Sequence, residues 1–216
     1  MTIVSCLRVL LLGAGALLAA GAWPGETSGG RFGDAERWSP WLDSPGRDAW
    51  QKPDEVIAAL GLARNAVVAE IGSGTGYFAV RLARAVPDGR VYGADIEPGM
   101  VAHLAGRAAA EKIPNLIALQ ATREGPGLPE PVDLVLLVNV QGLTVDPGNY
   151  FQRLRASLRP GARVAVIAYR PDSPGGAPPA MRAPAEQVVR DMARQGYVLV
   201  AAHDFLPYQY FLVFRP

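Results

Sequence analysis

From about residue 47 onward, short runs of β-branched and aliphatic residues alternate with longer amphipathic runs. Few folds accommodate that rhythm, because each strand-helix-strand unit returns the chain parallel to itself and demands a sheet covered by helices. Residues 67–71, 91–94, 116–119, 134–138 and 164–168 read as five core strands, and none shows the polar alternation of a one-sided strand. Proline and glycine mark the helices between them. Pro53, Asp54 and Glu55 open one that Gly61 closes, and another starts after Gly76 and stops before Pro87. Pro98 opens a third that ends before Pro114. A fourth follows Asp146-Pro147 and ends at Arg159-Pro160-Gly161, and a fifth spans 184–195. Residues 197–202 and 210–214 are strand-like with no helix between them, so they pair antiparallel. The expected architecture is α/β: a doubly wound, mostly parallel seven-stranded sheet finished by a C-terminal antiparallel hairpin.

The beginning of the chain has a different character. Arg8 precedes an uncharged run over 9–23, and Ala20-Gly21-Ala22 offers the small residues a signal peptidase requires. Residues 1–22 therefore read as a signal peptide cut before Trp23, or as an uncleaved membrane anchor. The run is shorter than the roughly 20 apolar residues that cross a bilayer, and no cysteine follows it to make a lipoprotein. Either reading exports the domain, to a periplasmic or membrane-anchored location, with membrane contact only through this segment if it stays uncleaved; a segment that works differently leaves a cytoplasmic location open. Residues 23–46, rich in Gly, Ser and Pro, read as a linker or arm that Trp38 and Trp41 tuck onto a domain at 47–216. The net charge of +1 leaves no electrostatic footprint for nucleic acid. Cys6, His103 and His203 are too few soft or imidazole ligands for a zinc or iron site.

Glu70-Ile71-Gly72-Ser73-Gly74-Thr75-Gly76 joins the first core strand to its crossover helix. In an open α/β sheet that junction lies at the carboxyl ends of the strands, where ligands bind. A dinucleotide fingerprint needs G-x-G-x-x-G, whereas this loop reads G-x-G-x-G with Tyr77 in the last glycine's place. The carboxylate of Glu70 repels a pyrophosphate and attracts an ammonium or sulfonium. Asp95 ends the second strand, where a carboxylate accepts hydrogen bonds from both hydroxyls of a ribose. Glycine loop and acid together predict a nucleoside held across the first two strands.

These motifs resemble the class I S-adenosylmethionine-dependent methyltransferases. E-x-G-x-G-x-G followed by V-Y-G-x-D is similar to their first two motifs, Val132-Asp133-Leu134-Val135-Leu136 to their fourth strand, and Leu158-Arg159-Pro160-Gly161 to their turn into the fifth. Arg47-Asp48-Ala49-Trp50-Gln51-Lys52-Pro53 resembles a segment of a bacterial subset of the family. The likeness covers about residues 46–216 and implies the Rossmann-like methyltransferase fold with S-adenosyl-L-methionine as cofactor. It implies that Gly72, Ser73, Gly74 and Gly76 pass the methionine part, Glu70 faces its ammonium, Asp95 holds the ribose, Ile96 packs on adenine and Asn139 lies beside sulfonium and acceptor. Two positions depart from the family pattern. Ala121 and Thr122 follow Gln120 where many relatives carry an acid, and Asn139-Val140-Gln141 stands where exported members often place histidines.

Methyl transfer from a sulfonium is an in-line displacement on an activated carbon, so positioning supplies much of the catalysis. Asn139 and Gln141 are the candidates for orienting an acceptor, and neither removes a proton at neutral pH. Tyr77 and Tyr169 are further candidates, with packing as the competing role. The loop from Pro171 to Pro179, flanked by Arg170 and Arg182, either covers the acceptor or merely connects. The reading is a methyltransferase acting on a small molecule. The alternatives are a non-catalytic binder of the same cofactor and, opposed by Glu70 and Tyr77, a nicotinamide-dependent oxidoreductase.

Overall fold

The apolar run at 67–71 forms β1 (Val67–Ile71), buried at every residue, and anchors a seven-stranded sheet in the computed structural model, which describes residues 34–140, 143 and 147–216. The other strands are β2 (Arg90–Asp95), β3 (Leu116–Gln120), β4 (Val132–Val138), β5 (Leu158–Tyr169), β6 (Val198–His203) and β7 (Gln209–Arg215). Their spatial order is β3-β2-β1-β4-β5-β7-β6. The first five are parallel, with Val68 opposite Val91 on one side and Leu134 on the other. β7 runs antiparallel between β5 and β6, so the expected mostly parallel sheet and closing hairpin are both present.

Helices cover both faces. On one, Val56 and Leu60 of α3 (Pro53–Leu60), Phe78 and Leu82 of α4 (Tyr77–Ala85) and Leu104 of α5 (Pro98–Ala110) pack on Val68, Leu134 and Ile167. On the other, Phe151 and Leu154 of α6 (Tyr150–Leu154) and Val188 and Met192 of α7 (Ala185–Arg194) pack on Val135, Val164 and Leu212. Burial of a large aliphatic or aromatic side chain stabilises the fold by about 1.5–3 kcal/mol, so these layers hold the strand ends rigidly. Gly61 ends α3 in the left-handed conformation, φ 54°, as expected of a glycine after a helix.

Three expectations need correction. Residues 34–46 are not a loose linker: Asp34 caps a helix α1 (Ala35–Leu42) by accepting from the Arg37 amide, and Trp38 is buried. A short helix α2 (Arg47–Gln51) follows. Arg159-Pro160-Gly161 does not end the fourth helix. That helix stops at Leu154, a 3-10 turn (Arg155–Ser157) follows, and the tripeptide is an irregularity within β5. The cause is electrostatic: Arg159 donates to Asp133 at 2.8 Å and Glu130 at 3.1 Å, holding the backbone against β4. β3 is not buried on both faces, because it is the edge of the sheet and leaves Ile117 exposed. The segment assigned to export, residues 1–22, and Gln141 lie outside the described residues, as does the arm before Asp34.

Candidate active site

Strand order reverses between β1 and β4: the chain travels outward through β2 and β3, then restarts on the other side. Such a switch point opens a crevice at the carboxyl ends of the strands, and the glycine loop leaves β1 there. Gly72 has φ 72°, and a Cβ on it would stand 2.7 Å from Val140 Cγ2. Gly76 has φ 90°, and its Cβ would meet Leu104 Cδ1 at 2.4 Å. Neither position admits a side chain without displacing a neighbour. The Gly72 and Ser73 amides donate to Ala94 O at 2.8 and 3.2 Å, tying the loop to the end of β2.

Asp95 completes the attachment. One carboxylate oxygen accepts from the Gly74 amide at 2.8 Å and the other from the Glu97 amide at 3.0 Å. It therefore shapes the loop, while each oxygen keeps lone-pair capacity toward the cleft. Glu70 is buried beneath the loop. Desolvation pushes its carboxyl up to about 8, against the pull of the Arg47 guanidinium and the Ala79 amide at the start of α4. Its Oε2 has no hydrogen-bond partner, and the hydroxyls of Ser73 and Thr75 are likewise buried and unpartnered. A buried acceptor without a donor costs about 1–3 kcal/mol, so this cluster is incomplete until something donates to it.

The cleft occupies about 960 Å³ and continues from the loop in two directions. Past Asp95 it meets Ile96, 44% exposed, and Met100. Ala121 and Thr122 line it where an acid was absent from the sequence, and the Gln120 amide is spent on Ile96 O at 2.8 Å. Past Gly72 it runs beside Asn139 into a compartment walled by Trp50, Tyr169 and Tyr208. The Trp50 ring stacks at a tilt on Tyr169, 5.8 Å between centroids, and faces Tyr208 at 6.3 Å. Burial raises the Tyr169 phenol to about 12. Tyr77 is structural: it donates to Asp48 and lies between the guanidinium groups of Arg47 and Arg81, at 3.7 and 4.1 Å. The 171–179 loop reaches the cleft through Pro174, Gly175 and Gly176. Arg182 gathers it by donating to the carbonyls of Pro171, Ser173, Gly175 and Ala177. His103 and His203 do not line the cleft, and His203 stacks on Phe211 at 4.6 Å.

Asn139 sits at the end of β4 with φ 57°, a conformation Asn tolerates better than most residues. A polar chain ends on it. Arg47 Nε donates to Gln51 Oε1 at 2.8 Å, Gln51 Nε2 to Gln209 Oε1 at 2.8 Å, and Gln209 Nε2 to Asn139 Oδ1 at 2.7 Å. The structure thus brings together the predicted Glu70, Gly72, Ser73, Gly74, Asp95, Ile96 and Asn139 on one cleft, with Gly76 just behind as the start of α4. Tyr208 and Gln209 were not singled out from sequence, and Arg47, Trp50 and Gln51 were noted only within the 47–53 segment, with no role at the site. For Gln209 the available signal was a polar residue opening an otherwise apolar strand.

Residues 68–161 match a family described as a methyltransferase domain. Over those residues the chain is similar to methyltransferase domains. Solved structures share its fold. A S-adenosylmethionine-dependent methyltransferase from Aquifex aeolicus is 21% identical, with a TM-score of 0.76 over 84% of this chain and 97% of its own. The CcbJ methyltransferase from Streptomyces caelestis is 19% identical, at 0.66 over 85% and 97%. Magnesium protoporphyrin IX methyltransferase from Synechocystis PCC 6803, with bound S-adenosylhomocysteine, is 18% identical, at 0.63 over 83% and 92%. No curated protein matches the sequence.

Proposed function

We propose that the domain methylates a small molecule held between the glycine loop and the aromatic wall. The observation that carries this reading is the continuity of the cleft: one space of about 960 Å³ joins the loop to Trp50, Tyr169 and Tyr208. Sites for a single ligand run from about 300 to 1,000 Å³, so a donor and a second small molecule fit together. The Synechocystis relative, named for a magnesium porphyrin, and the shared fold support a small acceptor.

The residues present fit the cofactor. Glu70 Oε2, buried and unpartnered, receives an ammonium; Gly72 and Gly74 leave the backbone bare along the methionine chain; Asp95 accepts from ribose; Ile96 and Met100 offer an apolar bed for adenine. When bound, the cofactor supplies a methyl group activated by a positively charged sulfur. The chain's own task is to align an acceptor with it and exclude water. Asn139 stands beside the loop, since β4 pairs with β1 up to Leu137 opposite Ile71.

Calorimetric titration of the full chain with S-adenosylmethionine tests the first half of the proposal. Binding near micromolar, about −8 kcal/mol, is expected, weakened in Asp95→Ala. Appearance of S-adenosylhomocysteine with a panel of thiol, phenol and quinol acceptors tests the second. Tight binding with silence across the panel would identify a non-catalytic binder instead.

A further inference from the structure

Resting on the methyl-transfer reading, we infer that the acceptor compartment takes a flat aromatic hydroxy compound as its phenolate, with the Asn139 side-chain amide donating to the phenolate oxygen. The argument starts from the direction of the polar chain. Arginine has donors only, so Gln51 must turn its oxygen to Arg47 and its nitrogen to Gln209. Gln209 must then turn its nitrogen to Asn139. Gln51 and Gln209 are fully buried, and reversing either amide would set N–H against N–H with no water to relieve it. Asn139 Oδ1 is therefore engaged, and the group left for a ligand is Nδ2, a donor.

The lining of that half agrees. The carboxylates bordering the cleft, Glu70, Asp95 and Glu97, all stand on the cofactor side, whereas the described acceptor half holds the Arg47 charge and the Asn139 Nδ2 donor beside the phenol hydroxyls of Tyr169 and Tyr208. Among the described residues a protonated amine would find no carboxylate there to hold its charge, and an aliphatic alcohol would find no base. A phenolate needs neither. Donors and the buried Arg47 charge favour the ionised form, and the rings of Trp50, Tyr169 and Tyr208 provide a wall for an aromatic plane. Gly176 keeps that wall in place, because a Cβ there would stand 2.4 Å from the Tyr169 ring. The phenol proton leaves to solvent on binding. The phenolate oxygen then forms the O–CH3 bond as the C–S bond breaks, its electron pair passing to sulfur, which gives an aryl methyl ether and S-adenosylhomocysteine.

The probe is 4-nitrophenol, whose ionised form alone is coloured, added to the full chain saturated with S-adenosylhomocysteine so that nothing turns over. At a pH where the free probe is half ionised, colour should increase on binding, corresponding to an apparent acidity about tenfold higher, one pKa unit. Asn139→Ala should abolish the increase. Gln209→Leu, which leaves Asn139 present but unheld, should weaken binding by roughly three- to tenfold, the worth of one hydrogen bond. Loss of colour on binding to the unmodified protein, or binding by Asn139→Ala with the colour change intact, overturns the inference whether or not Gln209→Leu folds. If calorimetry shows the cofactor bound while the phenol is ignored, this inference alone fails. If the cofactor does not bind, the methyl-transfer reading fails with it.

Discussion

Burial keeps the Glu70 carboxyl protonated at neutral pH, with a value of about 8 against an ordinary 4.5. A group raised in the folded state contributes stability that is lost as pH climbs from about 4.5 to about 8, since only the unfolded chain gives up the proton in that window. Glu70→Gln removes this dependence, so its urea midpoint should gain on that of the unmodified protein between pH 5 and pH 8. Under the proposed function cofactor binding should reverse the preference, because an ammonium beside Oε2 favours the carboxylate. Titration at pH 6.5 in buffers of different ionisation enthalpy should show about one proton released by this group, and none from Glu70→Gln. Asp95 attaches the loop, and under the proposed function it also binds ribose. Asp95→Ala should therefore lose about 1–2 kcal/mol of stability through the freed Gly74 and Glu97 amides, alongside at least about a tenfold loss of affinity, 1.4 kcal/mol. Denaturation and calorimetry on the same sample separate the two effects.

At the scale of elements, Leu104 is the wedge between α5 and the end of the sheet at Gly76 and Gly93. A Cβ on Gly76 would meet its Cδ1 at 2.4 Å, and one on Gly93 its Cδ2 at 2.3 Å. Leu104 is fully buried and has nowhere to retreat. Gly93→Ala should cost about 1–3 kcal/mol by overpacking, and less in a Leu104→Val background. A double-mutant cycle by urea unfolding should return a coupling of about 0.5–3 kcal/mol, and strict additivity would contradict the wedge. The 171–179 loop is an element of another kind, without helix or strand until the 3-10 turn at Pro179–Met181. Its order comes from Arg182, so Arg182→Ala should make it the first site of limited proteolysis while the thermal midpoint moves little.

For the whole molecule, the placing of β7 between β5 and β6 brings Gln209 to the strand ends opposite Tyr169, within reach of α2. Export is proposed on residues 9–23 alone: the first 46 residues should activate a reporter that works only outside the cytoplasm, and an inactive fusion would overturn that reading. Much of the molecule is written in neighbouring residues. Strand and helix alternation, Gly61 after its helix, the glycine loop and Asp95 all follow from periodicity, turn chemistry and charge within a few positions, which is why sheet, hairpin and the loop end of the cleft were legible. The α1 helix was missed because proline and serine inside Ala35–Leu42 masked its period, although Asp34 caps it and Trp38 buries it. The course of Arg159-Pro160-Gly161 depended on Glu130 and Asp133 across the sheet. The acceptor side was the least legible. Gln51 and Gln209 are separated by 158 residues, and Gln209 and Asn139 by 70, so their amides meet only after the sheet order is set. Local sequence determined the glycine loop and the acid that holds it. Tertiary structure alone decided which way Asn139 points, because a buried amide is oriented by partners that folding brings to it.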